Sequence, residues 1–162
     1  VPMRIATRKS IAVTAGSLIA LSAGTALATA PSGETVKPLA RGPLVMPADV
    51  NVKVTGGHVK LQTQGALDAL MVNVTLAPGG TSGWHKNAGP LINVIKQGTL
   101  TVIDASCMRH DIPAGHAVIS PGSTDKIENR GSTPVVFNVT FLLPHGVKSP
   151  DISRPAPAGC TA

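Results

Sequence analysis

The side chains with the widest chemical reach lie between Pro78 and Gly98, in the stretch PGGTSGWHKNAGPLINVIKQG. A Gly-rich turn leads into His85, Asn87 follows two positions on, and a short apolar segment closes at Gly98. A neutral imidazole is a good ligand for Zn, Fe, Mn or Ni, whereas an Asn carbonyl is a weak one. The acidic residues of the central region are Asp104, Asp111, Asp125 and Glu128. None has a spacing that specifies paired-carboxylate chemistry. Ser82 and Ser120 lack the G-x-S-x-G elbow of an α/β hydrolase. The pattern therefore names no catalytic residue.

Cys107 and Cys160 admit two readings. An even cysteine count in an exported chain favours a disulfide. The run Cys107-Met108-Arg109-His110 instead invites a thiolate metal site of the blue-copper type. No Met follows shortly after His110, and that reading leaves Cys160 unpaired. His58 and His145 read as exposed hairpin and tail residues, and His116 as a residue at the start of a strand.

These side chains need elements to position them. Arg4, Arg8 and Lys9 precede an apolar run from Ile11 to Leu27 that ends in Ala26-Leu27-Ala28. A charged start, a short apolar middle and a small-residue exit predict a secretory signal peptide over 1–28. The run is too rich in Ala, Ser, Thr and Gly for a membrane anchor, so no membrane association is expected after cleavage. Removing three of the 14 basic residues leaves 11 against 8 acidic ones, a net of +3. These charges are scattered, and Trp84, Phe137 and Phe141 are the only aromatic residues. Nucleic-acid binding, which calls for a basic stripe or stacking aromatics, is not expected.

An extended N-terminal arm is predicted over 29–48, a barrel over 49–145 and a Pro-rich tail over 146–162. Period-two alternation predicts strands at Val50 to Val54, Val59 to Leu61, Ala69 to Leu76, Leu91 to Ile95 and Thr99 to Ile103. Ala117 to Ser120, Asp125 to Asn129 and Pro134 to Leu143 complete the set. A short helix around Ala66 to Leu70 is the one helical alternative. Short strands separated by Gly or Pro argue for an all-β barrel or sandwich. With so few aromatics, its core must be built from Val, Ile and Leu.

From about Val52 to Pro144 the sequence resembles the cupins, most closely small exported single-domain members. The features that carry the resemblance are the P-G-G-x-x-G-W-H segment, the Q-G-T-L-T-V strand, Cys107-x-x-His110, the late V-x-F-N-V-T-F strand and the Cys near the C-terminus. The resemblance implies a double-stranded β-helix, or jelly roll, whose two motifs hold one metal with three His and a Glu. His85 matches the first His. Asn87 stands at the second His, and Leu91 or Ile92 at the Glu. In the second motif Asp125 replaces the His and Asn129 matches the closing Asn.

The resemblance thus implies a loosely held divalent metal (Zn, Fe, Mn or Ni) at His85 and Asp125, with Asn87 assisting. His110 and His116 are the substitutes. A tight catalytic site wants three strong protein ligands. Trp84, His85 and Asn87 form the expected small-molecule pocket, although Trp84 could equally pack beneath the arm or tail. Without metal, His85 and Asp125 could form a buried acid–base couple. The expected function is binding of a small ligand or a weakly held metal in the barrel. The alternatives are a metal-dependent dioxygenase or isomerase, and a structural module that forms a homodimer.

Overall fold

The structure, a computed structural model, describes residues 28–160, so the expected signal peptide lies outside the described residues except for Ala28. Twelve strands and no helix form among these residues. In chain order the first six are β1 (Ser32–Pro43), β2 (Asp49–Val54), β3 (Gly57–Gln62), β4 (Leu67–Thr81), β5 (His85–Asn87) and β6 (Leu91–Gln97). The rest are β7 (Thr99–Asp104), β8 (Arg109–Pro113), β9 (Ala117–Ser120), β10 (Thr124–Glu128), β11 (Val135–Pro144) and β12 (Asp151–Ser153).

Alternation along β4 and β11 builds the core. Leu70, Val72, Val74 and Leu76 stand opposite Phe141, Val139, Phe137 and Val135 in an antiparallel ladder. Side chains directly opposite each other share a face, and all eight are buried. Leu91 and Ile95 of β6 extend the same surface, and Leu100 of β7 closes it from the other side. Burying one such side chain contributes roughly 1.5–3 kcal/mol. The core is thus aliphatic, with Phe137 and Phe141 as its two aromatic members.

Two halves of one sheet enclose this core. One runs β1-β4-β11-β6-β9, the other β12-β5-β10-β7-β8, and they join where Glu128 faces Thr81. This is an antiparallel jelly roll. Gly98 lies in the tight turn between β6 and β7 at φ 75°, and a Cβ there would meet Pro134 O at 3.1 Å. Asn129, predicted to close the second motif, locks a turn. Its Nδ2 donates to Leu76 O and Thr133 O, and its Oδ1 accepts from Gly131 N–H.

The pairing redraws several sequence expectations. Residues 66–70 are not helical, because β4 starts at Leu67 and its alternate residues pair on both sides. The arm contributes a full strand, β1, paired antiparallel along β4. Residues 49–62, placed at the start of the barrel, form instead a separate exposed hairpin of β2 and β3. The Pro-rich tail also supplies a strand, with β12 pairing to β5. A disulfide joins Cys107 to Cys160 across 53 residues, with Cα atoms 5.3 Å apart. On the chain-entropy estimate such a closure contributes about 4 kcal/mol.

Asp68 fastens both ends of the chain to β4. Its carboxylate accepts from Arg41 Nε at 2.9 Å and Arg41 Nη2 at 2.6 Å, and lies 2.8 Å from His145 Nδ1. The His145 hydrogen bond and then the Arg41 hydrogen bonds hold its pKa down, from 3.8 to about 2. A depressed carboxyl stabilises the fold above its unfolded pKa and loses that contribution as pH falls through its folded value. Asp68→Asn should therefore lower the urea midpoint at pH 6. The gap from wild type should narrow between pH 3.8 and about 2; a gap that stays constant over that window would contradict the assignment.

Candidate functional site

Gly83 sets the position of the site. It adopts φ 65°, and a Cβ there would lie 2.0 Å from Thr29 O, so only glycine allows the arm to pass this close. The chain then enters β5. Successive strand residues point to opposite faces, which sends His85 and Asn87 inward and Trp84 and Lys86 outward. β10 pairs with β5 so that Asp125 stands opposite His85. On the other side β12 places Asp151 opposite Asn87.

These side chains meet at a cavity of about 70 Å³ inside the barrel. Its polar lining includes Glu34, His85, Asn87, Asn93, Asp125 and Asp151. Val72, Val74, Val139, Phe137 and Phe141 form apolar walls. Pockets for drug-sized ligands run to roughly 300–1,000 Å³, so this cavity suits a much smaller guest.

His85 Nε2 lies 3.4 Å from Asp125 Oδ1 and 3.9 Å from Asp151 Oδ1. His85 Nδ1 lies 3.1 Å from Gly83 O. A carbonyl only accepts, so Nδ1 carries the hydrogen of that bond and Nε2 is left facing the two carboxyl groups. Asn87 Nδ2 donates to Asp125 Oδ2 over a long 3.4 Å. The group can thus share a proton between an imidazole and carboxyl groups, the basic equipment of acid–base chemistry.

Burial governs the titration of these acids. It pushes Asp125 up from 3.8 to about 6, with His85 opposing the shift and Asp151 adding to it. Burial also raises Asp151, against the pull of His85. Glu34 is raised by burial and then by Asp151, with His85 again opposing. Two of these acids come from outside the motif strands, Glu34 from β1 and Asp151 from β12.

The donor set does not fit the expected divalent metal. Among the described residues, no three His, Cys, Asp or Glu side chains gather as a metal-holding group. Leu91, at the expected Glu position, is buried in the core, while Ile92 points out to solvent. The substitutes lie elsewhere. His110 Nε2 pairs with Asp104 Oδ2 at 2.9 Å on the exposed β7–β8 hairpin, and His116 is exposed. Cys107 and Cys160 are consumed by their disulfide, which removes the thiolate reading.

Trp84 is also corrected as a pocket residue. It is 1% exposed but faces away from the cavity, as the strand alternation requires. Its backbone N–H donates to Thr29 Oγ1, its carbonyl accepts from Arg154 N–H, and Lys126 Nζ sits 5.5 Å from its ring centroid. The residue is thus buried off the cavity, with its backbone tied to the arm and the tail.

The sequence reading missed Glu34, Asn93 and Asp151. Asn93 was within reach, since Leu91, Asn93 and Ile95 alternate inward on β6. The other two depend on how distant segments pair.

No family model and no curated protein matches the sequence. Solved structures similar to the chain include a cupin domain from Bordetella pertussis, at 21% identity over 46% of this chain and 80% of that one, TM-score 0.42. The Cupin_2 domain of an XRE family transcriptional regulator from Enterobacter cloacae is 20% identical over 69% of this chain and 97% of that one, TM-score 0.45. A polyketide cyclase from Streptomyces resistomycificus is 11% identical over 51% of this chain and 63% of that one, TM-score 0.42.

The raised Asp125 pKa makes a signed prediction. An acid whose folded pKa lies above its unfolded one stabilises the fold at low pH and costs stability as pH rises to the folded value. Between pH 3.8 and about 6 the cost grows as the carboxyl ionises. The difference in urea midpoint between Asp125→Asn and wild type should move in favour of the variant across that window and level off above it. A flat difference would contradict a buried, raised carboxyl. By its own strand pairing, this chain is an antiparallel jelly roll.

Proposed function

We propose that the chain is an exported ligand-binding module that holds a small polar molecule inside its barrel, without a metal. The observation that carries this reading is the cavity itself, in which polar side chains converge on a space with apolar walls. Such a combination is the usual form of a small-molecule site. Export is supported by the basic, apolar and small-residue order of 1–28. The Cys107–Cys160 disulfide adds to it, because such bonds persist in oxidising compartments. A metal-dependent oxygenase or isomerase is disfavoured by the leucine at the Glu position and the amide at the second His position.

Amide chemical-shift mapping with small neutral, cationic and anionic compounds tests the binding reading. At least one class should perturb β5, β6 and β10 together, and added Zn²⁺ should leave those signals unchanged. Shifts confined to the outer surface, or stoichiometric Zn²⁺ binding lost in His85→Ala, would overturn it. The mass of protein recovered outside the cytoplasm tests the export reading. It should correspond to a chain starting at Thr29 and two protons lighter than its reduced form; an intact leader would count against cleavage.

A further inference from the structure

We propose that the cavity takes a small organic cation, a short ammonium carrying one hydrogen-bonding group. Asp125, Asp151 and Glu34 would hold its charge, and the Asn93 amide its polar end. This rests on the cavity being a ligand site and names the class of ligand.

The sign of the charge comes first. Three carboxyl groups and one imidazole line the cavity, and among the described residues no Lys or Arg does. The whole chain carries +6, so this acidity runs against the protein's own balance. Asp125 is not saturated by its neighbours. Its contacts to His85 and Asn87 are both long, at 3.4 Å, so each is weak. An ammonium brings three donors and a full positive charge to such acceptors.

Asn93 is independent of the acids. It stands between Val139 of β11 and Val118 of β9 in the ladder, on the wall of the cavity. It is only 8% exposed. Its amide has no hydrogen-bond partner among the described residues, and its polar atoms remain open to the cavity. An amide whose polar atoms still reach open space can exchange water for the matching groups of a guest. A guest with a hydroxyl or carbonyl supplies what the protein leaves out.

Size and walls complete the description. A volume of about 70 Å³ equals roughly two to three water molecules at ~30 Å³ each. Val72, Val74 and Val139 suit methylene groups rather than a hydrated ion. A two-carbon amino alcohol has these proportions.

Calorimetric titration at pH 8 with ethanolamine, ethylene glycol, glycolate and propylamine tests the proposal. Ethanolamine should bind at least roughly tenfold more tightly than ethylene glycol or glycolate, and Asp125→Asn should abolish that margin. Asp151→Asn, at the half-exposed rim, gives the same readout should the buried variant fail to fold. Asn93→Leu should bring ethanolamine and propylamine to similar affinities. Tighter binding of glycolate or ethylene glycol would overturn the cationic class while leaving a ligand site in place. No binding of any of the four compounds would overturn both. An ethanolamine preference over propylamine that survives Asn93→Leu would remove Asn93 from the site.

Discussion

The alternation of side chains at Trp84–His85 is the constraint on which the rest of this structure depends. On a strand, neighbours cannot face the same way, so one of these residues must enter the barrel and the other must leave it. His85 enters and meets Asp125 across the β5–β10 pair. Trp84 leaves, and a large outward-facing indole needs a cover. Lys126 of β10 approaches the ring at 5.5 Å, and Thr29 of the arm and Arg154 of the tail hydrogen-bond to the Trp84 backbone. A one-residue slip of β5 would exchange the two faces and destroy site and cover together.

Those backbone ties have a chemical consequence. The segments that hold the Trp84 backbone also run past the cavity, and each brings a carboxyl group: Glu34 on β1 and Asp151 on β12. The site is therefore assembled from three sources, the barrel strands and both ends of the chain. Acids gathered in a poorly solvated space raise one another's pKa and work against folding. The ends stay in place because other contacts hold them. Asp68 binds Arg41 and His145, and the Cys107–Cys160 disulfide anchors the tail. Structural energy concentrated at the ends of the chain thus supports an unfavourable charge arrangement in the middle.

Much of the fold was legible in the residues themselves. Strands at Ala69 to Leu76 and Leu91 to Ile95 announce themselves by period two, because each has one wet and one dry face. The aliphatic core followed from the scarcity of aromatics. The strands that went unread were β1, β5, β8 and β12. Their apolar residues are few or exposed, and what makes them strands is pairing with a partner far away in sequence. The supposed helix near Ala66 failed for the same reason, since local preference yields to a strand paired on both sides.

By itself, the sequence determined the strand periodicity and the shared face of His85 and Asn87. These are local properties, set by residue type and alternation. Only the tertiary structure decided that Trp84 faces away from the cavity, that Asp125 stands beside His85, and that Glu34 and Asp151 join them. Those outcomes depend on strand register between segments far apart in the chain, which arises from burying the whole core at once and leaves no mark in any short stretch of sequence.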